Sequence, residues 1–363
     1  MRNRLILAIT TAITFLAVDA TSQSITMPAN IDEIPKGYVC YWTNVAVKID
    51  GKLNEASWEA VPWTDNFVDI QGDSQPVPRF KTKVKMMWDS AYFYIGAELE
   101  EPNVWATLRK RDTVIFCDND FEVFMDPNGD NFEYYEMEMN AFNTVWDLFL
   151  PKPYKDGGKA VDAWNIKGLR TAVHVDGTIN NPRDADKGWT VELAMPWAAL
   201  KQYAHRPAPP TEGERWRVNF SRVEWQTEIV NGRYRKIKGM AEDNWVWSPQ
   251  GLIDMHRPEM WGYVQFTELG AGRAPYHRDP VWDVRRVLMR IYYAERDYHE
   301  KNKKWTATLS DLNPGDISSS DLSGAPEIVL TSDGYIATVS YRLPRGTFMK
   351  WHVTESSRIS AEQ

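Results

Sequence analysis

The sequence predicts a mainly β protein: a two-sheet antiparallel β-sandwich followed by a small C-terminal α+β extension. From Tyr38 to about Phe266, short runs of alternating apolar and polar residues are separated by turn residues, the pattern of an all-β sandwich. Aromatic residues are abundant, with 17 Trp, 16 Tyr and 13 Phe, the ring types that β-sheets use in cross-strand pairs. Past Leu269 the apolar period changes from that of a strand to that of a helix.

The elements follow in order. Arg2 and Arg4 precede the apolar run Leu5–Val18, and Val18-Asp19-Ala20 closes it, so residues 1–20 read as an export signal. That run is shorter than the roughly 20 residues of a spanning helix, and no later segment is apolar enough to span a bilayer. The expected location is outside the cytoplasm: periplasm, cell surface or medium. Residues 21–37 form a polar lead-in, and 38–268 the sandwich. Within it, Val39–Thr43 and Val47–Ile49 lead into the Asp50-Gly51 turn. Asn54–Ala60 reads as a short helix capped by Asn54, with Trp58 inward. Lys83–Trp88 and Tyr92–Leu99 form a hairpin across Asp89-Ser90-Ala91.

The most informative stretch runs from Asp118 to Asp130, D-N-D-F-E-V-F-M-D-P-N-G-D. It places Phe121, Val123 and Met125 on one strand face and Glu122, Phe124 and Asp126 on the other. Tyr134–Ala141 alternates likewise, with Tyr134, Glu136, Glu138 and Asn140 sharing a face. Lys167–Val175, Trp189–Met195, Trp216–Trp225 and Trp261–Thr267 read as further strands. In Trp216–Trp225, Arg217, Asn219 and Ser221 point away from the core. Residues 269–279 form a linker. In 280–363, Asp279-Pro280 starts a helix whose apolar stripe is Val284, Val287, Leu288, Ile291 and Tyr298. Arg285, Arg286, Arg290 and Arg296 lie off the stripe and read as a solvated face. Strands at Glu327–Thr331, Tyr335–Tyr341 and Thr347–Val353 complete a small meander.

A net charge of -8 and a pI near 5.4 argue against a nucleic-acid partner, which would need a basic patch. Cys40 and Cys117 are either one disulfide or two separate thiols, and spacing does not choose.

Asp126, Asn128 and Asp130 match the opening D-x-N-x-D of a calcium loop, although the twelfth position is Met137 rather than Glu. A solvated turn is the plainer reading of that loop. The six His lack metal-ligand spacing, and no G-x-S-x-G, H-E-x-x-H or Walker loop is present. Glu122 with Glu136 or Glu138 supplies the carboxyl pair of a sandwich glycosidase, the alternative to a purely binding protein. A haem site on Met and His has less support, since Met86, Met137 and Met139 fall at core spacing. A structural docking sandwich is the remaining class.

Three further stretches accompany the Asp118–Asp130 strand: I-D-G-K-L-N-E-A-S-W at Ile49–Trp58, W-D-S-A-Y-F-Y-I-G-A-E-L at Trp88–Leu99, and G-W-T-V-E-L-A-M-P-W at Gly188–Trp197. Together, from about Tyr38 to Thr267, they resemble the family 9 carbohydrate-binding modules and the wider family-9-like group. The resemblance implies a two-sheet sandwich that captures xylan, cellulose or their fragments beside glycoside hydrolases, some members preferring reducing ends. Calcium is implied as a structural ion. Carried over by position, the polar sugar contacts fall on Glu122 and Asn140, with Glu138 where one type of member has Arg. The two aromatic platform positions fall on Phe116 and Met255. Trp105, Trp146 and Trp247 are the nearby rings available to replace a platform, though Trp is by habit a packing residue.

Overall fold

The computed structural model describes residues 25–343 and 346–362; the expected export signal at 1–20 lies outside them. Fourteen strands precede the long helix. They are β1 (Gly37–Trp42), β2 (Val68–Asp69), β3 (Thr82–Trp88), β4 (Tyr92–Glu100), β5 (Asp120–Asp126), β6 (Tyr134–Asn140) and β7 (Val145–Leu150). There follow β8 (Arg170–Asp176), β9 (Gly188–Pro196), β10 (Arg215–Glu224), β11 (Thr227–Val230), β12 (Arg233–Lys236), β13 (Asp243–Val246) and β14 (Gly262–Thr267). Two short helices, α1 (Ala56–Ala60) and α2 (Trp197–Leu200), interrupt them.

Twelve of these strands make one curled sheet, ordered β7-β6-β5-β10-β14-β1-β3-β4-β9-β8, with β13 and β2 attached beside β10. Strand β1 is the seam, running parallel to both β14 and β3, while the other pairings are antiparallel. The sheet therefore folds over itself as a sandwich. Inward residues of one half (Phe121, Val123, Met125, Met137, Trp216, Phe220) share a single core with those of the other (Met86, Trp88, Phe93, Ile95, Leu193). Trp88, Phe93, Trp197, Trp216 and Phe266 meet mostly edge to face, the geometry their ring quadrupoles favour.

Several local expectations change. The first helix begins at Ala56, and its N-cap residue is Glu55, not Asn54; no side chain bonds the helix start. Val47–Ile49 forms no strand, and the expected strand from Lys167 begins at Arg170. Cys40 is buried on β1 and Cys117 is exposed, both as free thiols. The outward face of β5, β6 and β10 is itself covered. Phe124, Tyr134, Leu148, Leu150, Val246, Met255 and Trp261 form a second apolar cluster over it.

The remaining chain forms helix α3 (Trp282–Asn302) and a four-stranded sheet of β15 (Leu322–Leu330), β16 (Tyr335–Arg342), β17 (Phe348–Thr354) and β18 (Ile359–Ala361). Val284, Val287, Leu288 and Ile291 pack against Tyr335, Ala337, Val339 and Val353 as their own core. The arginine face of α3 is not solvated. Arg286 and Arg290 are buried, both pair with Asp32 of the lead-in, and they donate to the carbonyls of Pro314, Asp316 and Ser318. A guanidinium carries five donors, so enough carbonyls make its burial tolerable, and helical spacing cannot reveal what lies overhead.

The two regions share a polar joint. Tyr292 and Ser357 donate hydroxyl hydrogen bonds to Asp156 at 2.7 and 2.6 Å. The backbone N–H of Ile359 reaches the Asp130 carbonyl, and the Asn131 amide donates to the Ser357 carbonyl. Lys155, with its side chain wholly buried, sits 2.5 Å from Glu259, which also receives the Tyr293 hydroxyl. Replacing Glu259 by Ala leaves the Lys155 ammonium buried without its anion, which costs about 3–5 kcal/mol. Urea denaturation of Glu259→Ala is expected to show a loss of that size; a loss near zero would mean Lys155 has found another partner.

Candidate functional site

The register of the β10-β5-β6-β7 ladder builds the site. Ser221 on β10 lies opposite Glu122, Glu122 opposite Glu138, and Glu138 opposite Trp146. Directly opposed residues of antiparallel strands project on one face, so these four side chains form a row across the sheet. The next row toward the Asp120 end pairs Asp120 with Asn140; the other neighbouring row pairs Asn219, Phe124 and Glu136.

Every carboxyl in this patch is nearly or fully buried: Asp120, Glu122, Glu136 and Glu138. Burial pushes the Glu122 carboxyl up to about 7. Burial, with repulsion from Glu122 next, pushes Asp120, Glu136 and Glu138 well above the ordinary carboxylate range. Glu138 accepts the backbone N–H of Phe116 at 3.0 Å, and Asp120 that of Val223 at 3.0 Å. One oxygen each from Asp120, Glu122 and Glu138 lies within 4.8 Å of the others, close enough to share one ion. Beside Glu136 stands His256, its Nε2 4.0 Å from the carboxyl and its Nδ1 2.9 Å from the Tyr134 hydroxyl. Desolvation lowers His256 to about 4, so the ring is neutral at physiological pH.

The expected site residues divide. Glu122 and Glu138 come together as a directly opposed pair, and Phe116 borders them with 39% of its surface exposed. Asn140 lies beside them, but its amide is spent internally. It donates to Leu108 and Asp118 and accepts from Phe142 and Thr144. Trp105 and Trp247 are buried packing residues; a Cβ at Gly262 would fall 2.3 Å from the Trp247 ring, so that ring lies flat on backbone. Met255 lies in the covering cluster, its carbonyl accepting the Trp261 indole.

The Asp126–Asp130 turn does not fit a calcium cage. Asp126 takes the N–H groups of Gly129 and Asn131, Asp130 takes that of Phe132 and pairs with Arg358, and Arg285 donates to the Gly129 carbonyl. Those cations and amides already serve its oxygens, and the turn belongs to the joint with the C-terminal sheet.

As site residues, Ser221, His256, half-buried Trp225 and exposed Tyr154 escape sequence reading. The Trp225 indole bonds the Phe116 carbonyl and carries Lys236 over its ring, while Tyr154 meets His256 edge-on. Alternation gave the faces of β5 and β6, but only the register shows which residues of β7 and β10 stand beside them.

The sequence profile of the carbohydrate family 9 binding domain-like family matches residues 49–245, more than half of the chain. The chain belongs to that family. A 152-residue segment, 42% of the chain, is 26% identical to exoglucanase XynX of Acetivibrio thermocellus and covers 12% of it. The corresponding match to endo-1,4-beta-xylanase A of Thermoanaerobacterium saccharolyticum is 28% identical over 152 residues and covers 11% of that enzyme. The chain thus matches about a tenth of each of these curated relatives. Among solved structures, a family 9 carbohydrate-binding module from Caldicellulosiruptor kristjanssonii in complex with cellotriose aligns over 68% of this chain and all of its own, at 17% identity and a TM-score of 0.43.

As a family 9 sandwich, the protein carries opposed pH dependences. Glu122, raised from 4.5 to about 7, contributes stability that is full below pH 4.5 and lost as pH rises through about 7. His256, lowered from 6.5 to about 4, contributes stability present above pH 6.5 and lost as pH falls through about 4. In metal-free buffer, Glu122→Gln is expected to exceed the parent in stability at pH 8, by about 2 kcal/mol. The difference should vanish near pH 4.5. Denaturant midpoints across this range check it, and a variant weaker at pH 8 contradicts the strained carboxyl.

Proposed function

We propose that this protein is an exported carbohydrate-binding sandwich that captures a poly- or oligosaccharide during its breakdown, beside glycoside hydrolases and outside the cytoplasm. Membership of the family 9 group supports binding, and the names of the exoglucanase and xylanase relatives support a plant-polysaccharide setting. Among the described residues no helix is long and apolar enough to cross a membrane.

The observation that carries the site is the Ser221–Glu122–Glu138–Trp146 row bordered by exposed Phe116. Sugars present hydroxyls around the ring edge and C–H groups on the faces. The carboxyls take the hydroxyls by hydrogen bonds, and Phe116 and Trp146 take the apolar face. Covering about 100 Å² of that face contributes roughly 2.5 kcal/mol.

The rival reading is hydrolysis. A Glu122 carboxyl held near 7 beside Glu138 has the protonation a general acid needs. Release of reducing sugar from xylan or glucan by the purified protein would favour it over binding alone.

The deciding experiment is calorimetric titration with cello- and xylo-oligosaccharides, each paired with its borohydride-reduced form. The expected result is binding without turnover, weakened at least about tenfold in Glu122→Ala, a loss of 1.4 kcal/mol or more. Undiminished affinity in that variant removes Glu122 from the site.

A further inference from the structure

We propose that Asp120, Glu122 and Glu138 bind a hard divalent cation, calcium by their all-oxygen donor set, with the Ser221 hydroxyl as a neutral fourth ligand. Three oxygens mutually within 4.8 Å admit a centre no more than about 2.8 Å from each, near the roughly 2.3–2.6 Å of a calcium–oxygen bond. Small rotations of these side chains close the remainder.

The independent observation is what these groups lack. Ser221 Oγ and Asp120 Oδ2 are fully buried and make no well-aligned hydrogen bond, and Ser221 stands directly across from Glu122. Several other buried acids among the described residues are matched by a cation or by full hydrogen bonding. Glu101 and Glu224 flank Arg222, Glu259 holds Lys155, and Glu192 takes two backbone amides and the Trp58 indole. Among the described residues no Lys or Arg forms an ion pair with Asp120, Glu122 or Glu138. A divalent cation supplies the missing charge, and its attraction for these oxygens displaces the protons that otherwise neutralise them.

The cation site stands without the carbohydrate reading. Where that reading holds, vicinal sugar hydroxyls fill the positions the protein leaves open, since calcium takes about 6–8 oxygens.

The test uses the full chain stripped with EDTA at pH 7.5. Millimolar calcium is expected to raise the melting temperature by several degrees, and Glu138→Gln and Asp120→Asn to abolish the rise. Terbium provides a second readout. Bound at this site, it is excited through Trp146, the cross-strand neighbour of Glu138. Trp146→Leu should dim its emission and keep the thermal shift, because no ligand is touched. Absence of any shift with calcium, manganese or magnesium overturns the proposal, as does a shift that survives in both carboxyl variants. A calcium shift with no heat from any oligosaccharide sustains the cation site and removes the carbohydrate reading. Oligosaccharide binding that persists in EDTA, with no thermal shift, does the reverse.

Discussion

Desolvation of acidic side chains on the outward face of β5 and β6 is the constraint around which this molecule is arranged. Burying a carboxyl without a counter-charge is unfavourable, and here four lie side by side. They persist because the opposite faces of the same strands are locked into an aromatic core shared by both halves of the sandwich. Phe121, Val123 and Met125 on β5, and Tyr135, Met137 and Met139 on β6, leave the chain no freedom to turn its acids toward water. A one-residue slip would exchange the two faces and bury the acids in the core instead.

Much of this was legible in residue order. Alternation in Asp118–Asp130 and Tyr134–Ala141 gave the strands and their inward residues, because a half-buried strand repeats every second position. Glu122 and Glu138 emerged as neighbours in kind, though not as a directly opposed pair. That pairing depends on the register set by the connection between β5 and β6, which local pattern does not specify. Trp105 and Trp247 show the opposite difficulty. A Trp in a loop reads the same whether it meets solvent or lies flat on Gly262.

The arginines of α3 and the Asp126–Asp130 turn hide their partners from the sequence for one shared reason. Both make their partners across more than 100 residues: Arg290 with Asp32, and Asp130 with Arg358. A charge run or a D-x-N-x-D string carries no record of such partners. The family profile is similarly local. It ends at residue 245, yet β14, at Gly262–Thr267, stands between β10 and β1 and so joins the halves of the sheet.

That polar joint between the sandwich and α3 bears on inheritance. The chain around Gly270 looks like a place to cut, but Tyr276 lies against Gly37, and Tyr41 donates to the Ala274 carbonyl. A gene-fusion boundary there would strip Tyr292 and Ser357 from Asp156 and take Tyr293 from Lys155 and Glu259. The sandwich and its C-terminal companion are therefore best suited to travel between architectures as one heritable block.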